Sequence, residues 1–523
     1  MKRRAVLRTA VAAAFAAPLA RPAVAQPARV LRFVPQADLA NPDPVWTTAT
    51  VAVIHGRMIW DQLYGLDDDL LPQPQMVAGQ VVSDDGRTWR LTLREGLWFH
   101  DGEPVRAADC IASIRRWGQR NSIGQTLVAV TDEMSAADDR TIAFRLKKPF
   151  PLLPFALTGM YVMPARVAAT DAFTQIGDFT GSGPYRFIRD EWRAGAGAAY
   201  ARFDRYAPRQ EPASANAGAK IVHFDRVEWK VIPDSSTAAA ALQRNEVDWV
   251  ENPLIDLVAM LRKSPGVKVD VFDPLGSINM IAFNHVQPPF DNVRLRRAVL
   301  AAVDQNEYVA ALVGDQTELG RTGVGVFTQG SPYANTAGME ALTAPRSLER
   351  ARRLVAESGY AGERIVLMSP SDQANIAQSA QVTNALYKSL GLNVEYASMD
   401  WGTLMQRRNS KLASDRGGWN SYCTGWAGLS VANPATHLPL RGNGPAGWTG
   451  WPVNAAMETL RDAWFEAPDL AAQRKICEDM QRLAFQEVPF IPVGQTFAPT
   501  AFRSNLTGFM RTATPSFWGV RRV

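Results

Sequence analysis

The side chains best suited to metal binding or nucleophilic catalysis are dispersed along this sequence. Its five histidines are His55, His100, His223, His285 and His437. None of them lies in an H-E-x-x-H zinc pattern, and no G-x-S-x-G nucleophile motif occurs. His100 and Asp101 resemble a catalytic dyad, but Asp101-Gly102 is also a turn signal. We therefore expect no catalytic residue, metal or cofactor, and keep a secreted hydrolase as the alternative.

Four aromatic residues within a short span are suited to binding instead. They are Trp401, Trp419, Tyr422 and Trp426. Aromatic side chains line apolar clefts and also carry a polar group that can orient a ligand. Aromatic residues are also common in hydrophobic cores, and for Trp419 and Tyr422 a core position is as well supported as contact with a ligand.

The N-terminus has the order of features that a secretory signal needs. Basic residues at 2–8 precede the apolar run 10–17, and Ala23-Val24-Ala25 forms an A-x-A cleavage site before Gln26. We predict a signal peptide at 1–25 and a periplasmic mature protein. Arg3-Arg4 also matches a twin-arginine signal, although a basic start serves the general secretory route as well.

Length and composition narrow the class of protein. The chain has 523 residues, so two or three domains are expected. The net charge of +5 comes from basic residues spread among acidic ones, which is not the pattern of a nucleic-acid-binding protein. After the signal, no apolar stretch reaches the roughly 20 residues of a membrane span. We expect a soluble monomer, and the three cysteines, Cys110, Cys423 and Cys477, do not define a disulfide framework.

Strand and helix patterns alternate in two separate blocks, near 220–250 and 365–399. In the first block, Ser235 and Ser236 stand where a helix N-cap belongs. Gly359 and Asp469 are predicted to end one helix and to cap another. Upstream, Asp85-Gly86 predicts a hairpin turn. The pattern predicts a two-lobed α/β protein with a cleft between its lobes.

Five motifs in order resemble those of the family 5 solute-binding proteins, the dipeptide, oligopeptide and nickel receptors of ABC importers. The longest is VVSDDGRTWRLTLREGLWFHDGEPVRAADCIASI at 81–114. The others are GSGPYRF at 181–187, FNHVQPPFDNVRLRRAVLAAVD at 283–304, SLERARRLVAESGY at 347–360 and LGLNVEYASMDW at 390–401. These matches extend over most of the chain.

This resemblance implies a type II periplasmic binding protein fold of the large, three-region class. Lobe I would hold 26–55, 180–275 and 495–523, an extra subdomain 56–179, and lobe II 276–494. A peptide or similar small solute would be enclosed by hinge closure, and the closed protein would meet an ABC permease. A sensor or chaperone without a transport role is a further alternative on the same fold.

The resemblance also implies which residues contact the solute. Gly425-Trp426 match a family pair that lines the cleft, and Trp401 matches another cleft position. Trp46, Gly183 and Tyr185 lie in segments that flank the cleft in the family, although a tight turn explains Gly183 as well. Gln495 belongs to the second strand that is predicted to cross between the lobes.

One matched position departs from the family pattern. Peptide-binding members carry an aspartate three residues after the tryptophan, where it pairs with the peptide's α-ammonium group, and this sequence has Leu429 there. A buried ammonium group without a counter-charge is strongly disfavoured. Either another acid supplies the charge or the solute has no free ammonium group. Asp400 and Asp415 are near in sequence, but no pattern places them in the cleft.

Overall fold

The computed structural model describes residues 29–523, so the predicted signal peptide lies outside the described residues. Three larger β-sheets organise this part of the chain. In chain order the strands are β1 (Val30–Val34), β2 (Tyr64–Leu66), β3 (Pro72–Pro74), β4 (Val77–Val82), β5 (Thr88–Leu93), β6 (Thr131–Ala136), β7 (Thr141–Leu146), β8 (Tyr185–Phe187), β9 (Gly197–Arg202), β10 (Arg226–Lys230), β11 (Trp249–Val250), β12 (Val267–Asp270), β13 (Ser277–Phe283), β14 (Gly320–Arg321), β15 (Ile365–Pro370), β16 (Val394–Met399), β17 (Ser421–Ala427), β18 (Phe490–Thr496), β19 (Thr500–Arg503), β20 (Leu506–Thr507) and β21 (Arg521–Arg522). Strands β2 with β3 and β20 with β21 form two further two-stranded sheets.

Helices cover the faces of these sheets. In chain order they are α1 (Thr50–Ile59), α2 (Ala107–Gly118), α3 (Ser122–Val130), α4 (Leu153–Ala156), α5 (Ala165–Ala168), α6 (Ser235–Gln243), α7 (Ile255–Lys263), α8 (Val293–Ala302), α9 (Gln305–Val313), α10 (Glu340–Thr343), α11 (Leu348–Glu357), α12 (Ala374–Ser389), α13 (Trp401–Arg407), α14 (Ala455–Glu466) and α15 (Leu470–Glu487). Within residues 29–523, no helix is long and apolar enough to cross a bilayer.

The first lobe is built on a seven-stranded sheet in the order β12-β19-β11-β1-β10-β9-β8. Its central strand β1 runs parallel to β10 and β11, with Phe33 opposite Trp249. The alternating pattern of β1 buries Leu31 and Phe33, and Phe33 meets the Trp249 ring edge-on at 4.8 Å between centroids. Helix α1 closes this core and crosses the predicted boundary between residues 55 and 56. The region boundaries themselves stay predictions.

The second lobe is built on a six-stranded sheet in the order β14-β18-β13-β17-β15-β16. Strands β15 and β16 are parallel and are joined by α12, which confirms the predicted strand–helix–strand unit. Gly359 follows α11 with a φ of +83°, and Asp469 caps α15 by accepting a hydrogen bond from the Ala472 amide, as predicted. In the first lobe the predicted cap of α6 is wrong by one residue. Asp234 caps that helix, because its carboxylate reaches the Thr237 amide at 2.7 Å.

A four-stranded sheet in the order β4-β5-β7-β6, with α2 and α3, forms a smaller unit within residues 77–146. The predicted hairpin is confirmed, since β4 and β5 are antiparallel and Gly86 at their turn has a φ of +67°. Trp89, Leu91 and Leu93 face its core. The loop after β7 reaches the second lobe, where Phe150 stacks on Phe465 of α14.

Two chain segments connect the lobes, between β12 and β13 and between β18 and β19. Because β13 and β18 are antiparallel neighbours, the two segments lie side by side. Asn279 Nδ2 donates a hydrogen bond of 3.0 Å to Thr496 Oγ1 across this pair of strands. This topology places a cleft between the two lobes, and both connections lie along one side of it.

Candidate functional site

A cavity of about 210 Å³ lies where the two lobes and both connections meet. Its first-lobe wall is formed at the carboxyl ends of β1 and β11, the place where α/β sheets commonly bind ligands. The second lobe contributes Ala427 at the end of β17. The lining residues are Gln36, Thr50, Trp249, Glu251, Asn252, Phe272, Asp273, Gly276, Ser277, Ala427, Ala498, Thr500, Thr512, Ala513 and Pro515.

Two acidic residues line this cavity, and neither forms an ion pair within residues 29–523. Glu251 is 5% exposed, and its Oε2 accepts a hydrogen bond of 2.7 Å from the Gln36 amide. Burial raises the pKa of Glu251 to about 7. Asp273 stands in the first connection, where its Oδ1 accepts from the Leu275 amide at 2.9 Å, and burial raises its pKa to about 6.

Aromatic rings pack together around β17, the strand whose last residue, Ala427, lines the cavity. Trp426, on β17 next to Ala427, is half-buried, and its ring packs edge-on against Trp448 with 5.5 Å between centroids. The Trp448 ring also lies 6.1 Å from that of Tyr422. Gly425 and Ala427, which flank Trp426, are exposed. This strand therefore combines an apolar ring with an accessible stretch of main chain, a combination typical of small-molecule sites.

Comparison with known proteins identifies the architecture. The model of the bacterial extracellular solute-binding proteins, family 5 Middle, matches residues 72–447. This chain belongs to the family 5 extracellular solute-binding proteins. It is 35% identical over 485 residues to the probable peptide ABC transporter periplasmic-binding protein y4tO of Sinorhizobium fredii. The aligned residues cover 92% of this chain and 91% of that relative.

Solved structures share the fold of this solute-binding protein. The ABC transporter substrate-binding protein CtaP from Listeria monocytogenes superposes with a TM-score of 0.80 at 19% identity, covering 95% of this chain and 100% of CtaP. A dipeptide-binding protein from Pseudoalteromonas, solved with Met-Leu, superposes with a TM-score of 0.74 at 17% identity over 95% of this chain and 100% of its own. The predicted two-lobed type II periplasmic binding protein fold is confirmed.

The predicted contact residues of this family 5 protein fall into two groups. Gly425 and Trp426 are on β17, whose next residue, Ala427, lines the cavity. Leu429 follows in the short 3₁₀ turn Gly428–Val431, where its side chain is half-buried. Trp401 is half-buried at the first turn of α13, which Asp400 caps. Ligand contact by these residues stays a prediction.

The other predicted residues lie inside the lobes or away from the cavity. Trp419 is fully buried in the core of the second lobe, and Tyr422 is buried with its hydroxyl 2.9 Å from Thr449 Oγ1, so both have the core position that the sequence left open. Tyr185 is also fully buried, in the first lobe. Gln495 is buried at the connections, where it hydrogen bonds main chain. Contact of these residues with a solute stays a prediction.

Gly183 and Trp46 have local structural explanations. Gly183 donates its amide to the Ile59 carbonyl at 3.0 Å, and a Cβ at this position would come within 2.8 Å of the Met58 carbonyl oxygen. The glycine is therefore required by close packing on the end of α1. Trp46 lines a separate cavity of about 300 Å³ beside α2, and its Nε1 donates to the Phe173 carbonyl at 3.2 Å.

The possible dyad of His100 and Asp101 serves the fold. His100 Nδ1 accepts from the Gly181 amide at 3.1 Å while Nε2 donates to the Gly183 carbonyl at 3.0 Å. Burial lowers the pKa of His100 to about 4, and Asp101 pairs with Arg166 at 2.8 Å. Solute-binding proteins of this family are carriers, and within residues 29–523 no cluster of three metal-ligating side chains occurs.

Sequence patterns did not indicate Glu251, Asp273 or Trp448 as site residues. Glu251 follows the short buried strand β11, and Asp273 precedes the predicted crossover strand. Both positions could have predicted a place at the cleft, because residues at the ends of parallel strands and at hinges face interlobe clefts. No sequence pattern, however, brings residues 251 and 273 to the same cavity.

Proposed function

We propose that this protein is the periplasmic substrate-binding subunit of an ABC importer and that it captures a peptide or peptide-like solute between its lobes. The observation that carries the proposal is the cavity at the two connections, which is lined from both lobes. A site shared by two lobes can release and enclose a solute by moving one lobe, without unfolding either.

Closure would be driven by the solute itself. A solute that contacts Glu251 in the first lobe and Trp426 in the second makes its full set of contacts only when the lobes approach. The difference in affinity between the open and closed states then supplies the free energy for closure. The closed protein would present a defined surface to the permease in the membrane. We propose that it does so as a monomer and without a cofactor.

The name of y4tO and the Met-Leu bound to the Pseudoalteromonas protein support a peptide or a molecule of similar size as the solute. The lining is consistent with this class, because it offers aromatic surface at Phe272, polar amides such as Asn252 and accessible main chain at Ala427. Peptides use such main-chain groups for sequence-independent hydrogen bonds.

Identification of the bound solute tests this function. The mature protein is purified from the periplasm and denatured, and the released small molecules are identified by mass spectrometry. We expect peptides or modified peptides, and calorimetric titration with the synthetic compound should give saturable one-to-one binding. Uptake of that compound should stop when the gene is deleted. Uptake that continues unchanged would contradict a transport role.

Export is tested separately. We propose that residues 1–25 are removed, with Arg3-Arg4 directing export by the twin-arginine route. N-terminal sequencing of the periplasmic protein should begin at Gln26. The variant with both arginines changed to lysine should accumulate as precursor, whereas a variant of Lys2 alone should not. Recovery of the intact chain from the cytoplasm of wild-type cells would contradict the proposal.

A further inference from the structure

Glu251 is a buried carboxyl group without a positive partner. Only 5% of the residue is exposed, and within residues 29–523 no lysine, arginine or histidine nitrogen lies within 4.0 Å of its oxygens. Its Oε2 accepts one hydrogen bond, from the Gln36 amide. Its Oε1 has no hydrogen-bond partner in that part of the chain. Elsewhere in the first lobe the buried acids Asp43, Asp61 and Asp248 are paired with Arg116, Lys220 and Arg522. Asp109 has no ion pair among the described residues, but main-chain amides donate to both of its oxygens, so Glu251 differs in leaving one oxygen without a partner.

The unpaired carboxyl group belongs to the interlobe cavity, where Asp273 is the second acid. No basic side chain is among the described residues that line this cavity. Arg511 comes near, but its guanidinium donates to the Val271 carbonyl at 3.2 Å and forms no ion pair with Asp273 within the described residues. Arg57, whose Nη1 donates to Thr514 Oγ1 between two lining residues, also forms no ion pair within the described residues. The wall formed by the first lobe therefore carries two acidic side chains without a paired cation, and burial disfavours the ionisation of both.

The facing side of the cleft offers no competing cation at the residues nearest the cavity. Ala427 lines it, Trp426 precedes Ala427 on β17, and Leu429 occupies the next turn of the chain. The aromatic residues that line the cavity itself are Trp249 and Phe272. Aromatic faces also attract positive groups. A positively charged group on the solute would satisfy the two carboxylates, restore their ionisation and lie within reach of an aromatic ring.

We propose that Glu251, together with Asp273, binds a protonated amino group of the solute. The assignment rests on the proposed function and deepens it, because it selects solutes with a free amino group over blocked ones. It also answers the question raised by Leu429, since the counter-charge comes from the first lobe. Glu251 Oε1 would accept the charge-assisted hydrogen bond while Oε2 keeps its bond to the Gln36 amide.

The test uses a defined mixture of dipeptides and tripeptides and the same mixture acetylated on every amino group. The full-length mature protein is dialysed to equilibrium against each mixture, and the retained peptides are quantified by mass spectrometry. We expect the wild-type protein to retain free peptides and not their acetylated forms. Glu251→Gln, which preserves shape and the acceptor for Gln36, should weaken retention by at least about tenfold.

Glu246→Gln is the matched control. It makes the same chemical change five residues away, at an exposed side chain that forms only a surface ion pair with Arg244, and should bind like wild type. Equal retention of free and acetylated peptides, or a Glu251→Gln protein that binds within twofold of wild type, would overturn the inference and leave the peptide receptor intact. Retention of neither mixture would overturn the proposed peptide class and the inference together. Thermal melting of each variant confirms that it is folded.

Discussion

The rings of Phe150 and Phe465 stack with 6.2 Å between their centroids and an angle of 20° between their planes. Phe150 follows the four-stranded sheet, and Phe465 ends α14 of the second lobe, so this contact joins regions that the hinge does not connect directly. Beside it, Lys148 Nζ lies 2.6 Å from Glu466 Oε1. Such a contact stabilises the arrangement of the lobes seen here.

Removing one of these rings should therefore weaken solute binding, although neither ring lines the cavity. Phe465→Ala loses an aromatic pair worth about 0.5–1.5 kcal/mol, which reduces the population of this arrangement and should raise the apparent Kd roughly twofold to tenfold. Calorimetric titration measures the change. Phe173→Ala, at an exposed ring of the first lobe, is the control and should bind normally. An unchanged Kd for Phe465→Ala would show that the contact does not contribute to closure.

The buried amide of Gln495 is expected to stabilise the connections between the lobes. Its Nε2 donates a hydrogen bond of 2.6 Å to the Leu275 carbonyl oxygen, and this bond links the second connection to the first. Gln495→Met leaves that carbonyl without its donor and should lower the free energy of unfolding by about 1–3 kcal/mol in urea titrations. Gln378→Met, at an exposed position of α12, should change it by less than about 0.5 kcal/mol. Equal effects of the two substitutions would refute this role.

Enclosure of Trp426 should be visible in its fluorescence. The ring is half-buried in the arrangement of the lobes described here, and we expect the solute-free protein in solution to populate a more open one. Solute binding should therefore change the emission of this ring, and small-angle scattering should show a smaller radius of gyration. Trp426→Phe should abolish most of the solute-induced difference spectrum. Trp98→Phe, a half-buried tryptophan that packs on Arg205 far from the second lobe in sequence, should preserve it. A radius of gyration that stays constant at saturation would contradict hinge closure.

Glu251 should make the stability of the solute-free protein depend on pH. Because burial raises its pKa from 4.5 to about 7, the folded state holds the proton more tightly than the unfolded state. The resulting stabilisation is fully present below about pH 4.5 and is lost as pH rises through about 7, a change on the order of 3 kcal/mol. Urea titrations of wild type and Glu251→Gln from pH 4.5 to 8 measure the difference.

Asp273 lines the same cavity and titrates with a pKa of about 6, but it is present in both proteins, so its direct contribution largely cancels. If the difference in unfolding free energy between wild type and Glu251→Gln were constant across this range, Glu251 would not be protonated in the folded protein near neutral pH. Glu246→Gln, at an exposed carboxylate, should show no such dependence.

Local patterns predicted the elements whose causes are local. The hairpin at Gly86, the helix end at Gly359 and the cap at Asp469 each depend on residues within a few positions of one another, and each is confirmed. The cap of α6 was assigned to Ser235 and Ser236 because both are good capping residues. Asp234 is one as well, and the exact start of a helix depends on backbone geometry that the pattern does not specify.

The sequence by itself determined the family, the two-lobed α/β fold and the motifs that identify them, because motif order and strand–helix alternation are recorded along the chain. Only the tertiary structure decided which aromatic side chain is fully buried and which is half-buried, since Trp419 and Trp426 differ in what covers them and not in their type. It also brought Glu251 and Asp273 to one cavity from separate elements. Burial and the pairing of charges depend on contacts between residues distant in sequence, and such contacts exist only once the chain is folded.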